Sequence, residues 1–320
     1  MHRAVVEGVG HYLPKRVVEN SEFENTLETN DEWIRSRTGI ERRHFADEYE
    51  TTAFMGIEAA QAALDYADCT IDKVDAILVA TSTPDLTFPS VATMIQNGLG
   101  MRHGFAFDVQ AVCAGFVYAL TVANSLIASG QNSRILVIGS ETFSKLMDWT
   151  DRSTCVLFGD GAGAMLVAVQ SNDKSNRGIL ATTLHSDGQY KDLLYVDGGV
   201  SLQTTGYLRM QGKEIFRHAV EKLSEATFEA LEKAGLTTQD VDWVVPHQAN
   251  KRILEGMSKR LNIPTERVIM TVNNHGNTSA ASVPLALSVA LNDNRIKHGD
   301  LVVIGAIGGG LAWGTAVIRW

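Results

Sequence analysis

Short apolar runs alternate with helix-spaced segments along the whole chain. Ala76-Ile77-Leu78-Val79-Ala80, Arg134-Ile135-Leu136-Val137-Ile138-Gly139 and Ala164-Met165-Leu166-Val167-Ala168-Val169 predict buried strands. Trp243-Val244-Val245, Leu301 to Gly305 and Gly314 to Arg319 predict three more. Glu58 to Tyr66 carries helical periodicity, and Phe107 onward reads as a short strand, a tight turn and then an apolar helix. No charge interrupts the stretch from Val109 to Ser133, which is long enough to span a bilayer. Gln110, Thr121, Asn124, Ser125 and Gln131 punctuate it, so it predicts a buried central helix rather than a membrane span. Apolar strands alternating with helices predict an α/β fold whose sheets are covered on both faces.

The pattern also repeats. Glu58-Ala59 aligns with Glu225-Ala226, Ala63-Leu64 with Ala230-Leu231, and Val74-Asp75 with Val241-Asp242. Ala119 to Ala123 aligns with Ala286 to Ala290 at the same offset of 167 residues (Glu58 to Glu225). Four matches in one register predict two duplicated halves, each ordered helix, strand, buried helix, strand, strand. The polar run from Gln170 to Gly178 is the natural junction, giving an N-terminal half over 1–172 and a C-terminal half over 173–320. Ser186 to Gly206, rich in glycine, predicts a loop-rich insertion near the site.

Composition narrows the function. Of 320 residues, 45% are hydrophobic and 20% charged, which is ordinary for a globular protein. A formal net charge of −9 argues against a general nucleic-acid binder while leaving room for a local basic dock. The start, Met1 to Glu7, lacks the apolar core of a signal peptide. Three cysteines, Cys69, Cys113 and Cys155, make neither a disulfide framework nor a zinc site, and a reducing cytoplasm is the expected compartment.

Cys113 is the strongest chemical candidate. On the predicted turn into the apolar helix its thiol would meet unpaired N–H groups and the positive dipole end, which favour a thiolate. Cys69, in a polar turn, and Cys155, in an apolar strand, read as inert thiols. Two more polar clusters, Val245-Pro246-His247-Gln248-Ala249-Asn250 and Asn273 to Ser282, sit at the mouths of apolar stretches. Cys, His and Asn on separate loops suit acyl transfer. Asn277 alone reads as a turn or helix N-cap residue. Gly159-Asp160-Gly161-Ala162-Gly163 superficially matches a phosphate loop, but a strand follows it, so close packing is the better reading and a nicotinamide site is rejected. Lys213, Arg217, Lys251, Arg252, Lys259 and Arg260 form either a solvated face or a dock for an acidic protein.

These segments together resemble the β-ketoacyl-(acyl carrier protein) synthase III family of the thiolase-like superfamily. The resemblance runs from Gly8-Val9-Gly10-His11-Tyr12-Leu13-Pro14 and Asp31 to Ile40, through Thr150-Asp151-Arg152-Ser153-Thr154 and Phe158 to Ala164, to Gly308-Gly309-Gly310-Leu311-Ala312-Trp313-Gly314. It implies a five-layered α-β-α-β-α fold and Cys113, His247 and Asn277 as catalytic residues, with His275 a structural neighbour. It also implies an oxyanion hole from the N–H groups of Cys113 and Gly309. Trp33 and Arg152 match the pair that sandwiches adenine of coenzyme A, with Arg37 and Asn250 as further CoA contacts. Phe88, Phe158 and Ile307 match acyl-pocket positions, and Arg217 and Arg252 match carrier-docking positions. The region that holds a second cysteine in degradative thiolases is glycine here, which removes that activity.

The implied reaction is decarboxylating condensation of an acyl-CoA primer with malonyl-(acyl carrier protein), the first step of fatty-acid synthesis. It needs no metal or redox cofactor, CoA thioester being substrate, and the implied enzyme is a homodimer. Two rivals stay open on the residues alone: an acyltransferase or condensing enzyme of specialised metabolism, and a non-catalytic acyl-binding partner subunit. Ile307 stands where the family usually has Phe, which predicts primers longer than acetyl; Trp149 replaces a common proline at the tunnel rim.

Overall fold

The computed structural model describes residues 2–170 and 176–320, so the predicted boundary between residues 172 and 173 lies outside the described residues. The first half opens with β1 (Ala4–Tyr12), β2 (Arg16–Glu19), α1 (Asp31–Thr38), β3 (Arg42–Phe45) and α2 (Thr52–Tyr66). It continues with β4 (Ala76–Ala80), α3 (Val91–Gly98), β5 (Phe105–Val109), α4 (Gly115–Ala128), β6 (Arg134–Glu141) and β7 (Gly161–Val169). The second half has β8 (Gly178–Ser186), the short hairpin β9 (Leu194–Val196) and β10 (Leu208–Met210), α5 (Gly212–Lys233), β11 (Trp243–Pro246) and α6 (Lys251–Leu261). It ends with the single turn α7 (Val272–His275), α8 (Ser282–Asn292), β12 (Leu301–Gly308) and β13 (Ala312–Arg319).

The first sheet has the order β1-β7-β6-β4-β5 and the second β11-β12-β13-β8. In each, a parallel segment (β5-β4-β6, and β11-β12) meets antiparallel neighbours (β7 and β1, and β13 and β8). The apolar runs form strands because both of their faces are buried. Ala76, Leu78 and Ala80 enter the central core while Ile77 and Val79 enter the outer core under α2 and α3. Val302, Ile304 and Ala306 face the same central core, and Leu301, Val303 and Ile307 face outward to α5 and α6. Helices α4 and α8 contact strands of both sheets, so they form the middle of five layers. Their scarcity of charge follows from that position.

Two close approaches bring the halves together. A Cβ at Gly139 would lie 2.3 Å from the Ala280 carbonyl, and one at Gly308 would lie 2.6 Å from the Cys113 amide nitrogen. Only glycine lets the sheet edge and the helix-entry turns meet at that distance. One prediction is corrected: Cys155 lies in a run of turns, its N–H bonded to the Asp151 carbonyl at 3.1 Å, and not in a strand. It is buried, as an inert thiol should be.

Candidate active site

The Cys113 turn is a single 3₁₀ turn, Val112–Ala114, that leads directly into α4. Its backbone is strained. Val112 has φ +48°, a region that β-branched residues rarely adopt. Cys113 is buried and lies against the Gly308–Gly310 loop, where the next residue, Gly309, sits with its α-carbon beside the Leu194 carbonyl. The expectation of a ready thiolate is corrected. Burial pushes the Cys113 thiol up to about 12; a hydrogen bond from Ser279 opposes this, and the Glu141 charge reinforces it. Desolvation outweighs the turn's N–H groups, so burial favours the neutral thiol.

His247 is buried at the end of β11, and burial holds its imidazole down at about 3, the neutral state. Its Nδ1 lies 2.6 Å from Ser282 Oγ, the first residue of α8. Ser282 Oγ also accepts the Gln248 N–H at 3.3 Å, which leaves its proton for His247 Nδ1. That assignment puts the imidazole proton on Nε2, as a donor. Asn277 is oriented in the same way. Its Oδ1 accepts the Ser279 N–H at 2.9 Å, so Nδ2 is the free donor. The Asn277 backbone is pinned on both sides, N–H to the Leu157 carbonyl at 2.9 Å and carbonyl from the Gly159 N–H at 3.0 Å.

The turn carrying Ser279 packs on the turn carrying Cys113, and Ser282 holds His247, so all three predicted catalytic residues gather at the entries of α4 and α8. Gln248, wholly buried, supports this end of the second sheet. It donates to the Pro246 and Ile269 carbonyls and accepts from the Thr271 and Val272 N–H groups, at 2.8–3.1 Å. His275 is buried to one side, its ring 6.4 Å from that of His44.

A cleft of about 1270 Å³ opens beside the Cys113 turn. Val112, Thr83, Phe143, Leu194, Val196 and Leu208 line it, so the glycine-rich insertion does reach the site. Of the predicted acyl-pocket residues, none is in that lining. Phe158 stacks behind Phe143 at 5.2 Å and bridges to Asn277; Ile307 packs in the same cluster; Phe88 is 82% exposed next to the rim residue Thr87. The predicted CoA residues meet at a surface. Arg37 and Arg152 each place their guanidinium 5.0 Å from the centre of the Trp33 ring, and Arg152 also donates to the Glu28 carbonyl. Asn250 caps α6 by accepting the Arg252 N–H and donates to the Arg37 carbonyl, while Arg252 donates to the Ser36 carbonyl. Arg217, exposed on α5, pairs with Glu214 at 3.0 Å.

Glu141 escaped sequence reading. It ends β6, just beyond the predicted strand, and is completely buried. Burial lifts its carboxyl to about 7 against hydrogen bonds from Thr83, Ser82, Ser279 and Thr81. A lone acid closing an apolar strand was the available signal. Among the described residues no group of three or more His, Cys, Asp or Glu is placed to hold a metal, and no helix is long and apolar enough to cross a membrane.

Known proteins match this architecture throughout. A family model described as 3-oxoacyl-[acyl-carrier-protein (ACP)] synthase III matches residues 107–188, and its C-terminal companion matches residues 231–320. A β-ketoacyl-[acyl-carrier-protein] synthase III from Ruegeria sp. (strain TM1040) is 68% identical over 320 residues, covering 99% of each chain. The chain belongs to the 3-oxoacyl-[acyl-carrier-protein] synthase III family. The crystal structure of the Aquifex aeolicus 3-oxoacyl-[acyl-carrier-protein] synthase III superposes with a TM-score of 0.94 at 46% identity, covering 99% of this chain and 100% of that one. The Pseudomonas aeruginosa 3-oxoacyl-(acyl carrier protein) synthase III does so with the same TM-score at 40% identity, covering 99% and 98%. Membership of that family makes this chain a condensing acyltransferase of thiolase-like fold, which removes the non-catalytic reading.

Proposed function

We propose that the chain initiates fatty-acid synthesis by condensing an acyl-CoA primer with malonyl-(acyl carrier protein), using Cys113 as nucleophile and His247 and Asn277 as enolate donors. The observation that carries this assignment is the pair of oriented donors, His247 Nε2–H and Asn277 Nδ2–H, beside a buried thiol. Cys113 Sγ attacks the acyl-CoA carbonyl, the N–H groups of Cys113 and Gly309 hold the oxyanion, and CoA departs with the thiol proton. Neutral His247 suits the second half. Malonyl loses CO₂, its thioester oxygen takes the two hydrogen bonds, and the carbanion so stabilised attacks the acyl-cysteine, regenerating the thiol form after protonation. Thioester activation and CO₂ loss drive the sequence, so CoA thioester is a substrate and no further cofactor enters.

The clamp of Trp33 by Arg37 and Arg152 supports CoA binding there, with Asn250 bracing it, provided Arg152 swings away to admit adenine. Exposed Arg217 and Arg252 support docking of an acidic carrier. A homodimer is supported by β5, an edge strand whose Phe105 and Phe107 stack in the open at 6.1 Å, and by exposed Phe88 nearby. We assign the enzyme to the cytoplasm with its substrates. Release of labelled CO₂ from malonyl-(acyl carrier protein), dependent on acyl-CoA, tests the reaction; no release overturns it. Sedimentation showing an active monomer at assay concentration overturns the dimer.

A further inference from the structure

Glu141 has no step in that cycle, yet the reaction centre is built around it. Its Oε2 accepts Thr83 Oγ1 at 2.6 Å, the Ser82 N–H at 3.0 Å and Thr81 Oγ1 at 3.2 Å, all from the loop after β4. Its Oε1 accepts Ser279 Oγ at 3.0 Å, from the opposite half. Four donors therefore converge on one carboxylate in an apolar interior, where a carboxylate is unfavourable unless so satisfied. Thr83 belongs to the cleft wall. Ser279 has φ +49°, a conformation that residues with a Cβ seldom hold unaided. Its side chain is tied to Glu141 and its N–H to Asn277 Oδ1, so the same strained residue links the carboxylate to the amide donor.

We propose that Glu141 is a positioning residue for condensation, acting through Ser279 to aim Asn277 Nδ2 at the malonyl thioester oxygen. The inference rests on the function proposed above. A clamp that merely stabilised the fold would serve both half-reactions equally. This one holds the decarboxylation donor through the Ser279 N–H, while the Ser279 hydroxyl also reaches the Cys113 thiol. An aiming role therefore shows as a loss larger in decarboxylation than in acylation. A displacement of about 1 Å at a reacting centre loses on the order of a hundredfold in rate.

The test separates the two half-reactions in wild type, Glu141→Gln and Ser279→Ala: Cys113 acylation by acyl-CoA, followed by mass spectrometry, and labelled CO₂ release from malonyl-(acyl carrier protein) by acylated enzyme. In both variants CO₂ release is expected to fall about tenfold or more, and at least about threefold further than acylation, which Ser279 also reaches through the Cys113 thiol. Equal losses in the two half-reactions, or none in CO₂ release, overturn the proposal. Ser279→Ala removes one hydroxyl and keeps the backbone donor, so it decides the matter if Glu141→Gln does not fold. A wild type that acylates but releases no CO₂ overturns instead the function on which the proposal rests.

Discussion

The two halves share a backbone and divide the chemistry. The 167-residue offset read from apolar patches extends to the finest local geometry. Val112 and Ser279 stand at matching positions with φ +48° and +49°, each opening a 3₁₀ turn into a buried helix. Asp75 accepts the Arg134 N–H and Asp242 the Leu301 N–H, again at matching positions and 2.9 and 2.8 Å. What differs is what the frame carries. Cys113 in the first half corresponds to Ala280 in the second; Asn277 corresponds to Gln110, and His247 to Ala80. The first half keeps a fifth strand, β5, whereas the second reduces it to one bridge, Val244 with Val268, and then the turn α7. The Gln248 side chain takes over the main-chain partners there. Losing a strand frees the chain to deliver Asn277 toward the Cys113 turn of the other half.

The largest effect should come from the nucleophile. Cys113→Ser should abolish detectable acyl-enzyme formation with the fold intact; mass spectrometry that finds the acyl group on Cys69 or Cys155 instead would place the nucleophile elsewhere. The second half should then fail in a different way. His247→Ala and Asn277→Ala should keep acylation while CO₂ release drops on the order of a hundredfold or more. Variants that decarboxylate normally but cannot self-acylate would reverse the division proposed here.

Protonation should distinguish the halves as well. Glu141 is raised from 4.5 to about 7 in the fold, so its contribution to stability is full below about 4.5 and is lost as pH rises through about 7. His275, in the other half, is held down from 6.5 to about 3, chiefly by burial. Its contribution is present above 6.5 and lost as pH falls toward 3. Urea midpoints across pH should therefore lose slope between 4.5 and 7 in Glu141→Gln, and below 6.5 in His275→Gln. Parallel curves for variant and parent would count against this. The smallest effect belongs to chain length. Ile307 is buried and outside the cleft lining, and one or two methylenes in an apolar pocket are worth about 1–3 kcal/mol. Ile307→Phe should shift kcat/KM toward acetyl-CoA over hexanoyl-CoA without making the choice absolute; an unchanged profile would remove Ile307 from substrate selection.

The six apolar strands β4, β6, β7, β11, β12 and β13, the duplication and the gathering of Cys113, His247 and Asn277 were legible in the sequence. Burial on two faces leaves an apolar run, and a family's motif order survives in single letters. Three things were not. The strain at Val112 and Ser279 is carried by residues that usually avoid positive φ, so no glycine advertised it. Glu141 gains its role from partners far away in the chain, Thr81 to Thr83 and Ser279. The state of the Cys113 thiol is a balance between burial and local donors, and residue order conveys only the donors.

The stacked Arg37–Trp33–Arg152 trio bears on the order of events in the proposed cycle. In that cycle an entering adenine would have to part Arg152 from both the indole and the Glu28 carbonyl. Spent CoA would then compete with the protein's own side chain for its berth. Under the proposed function such self-occupancy would weaken product inhibition and clear the passage for the carrier-borne second substrate, favouring ping-pong turnover over a ternary complex.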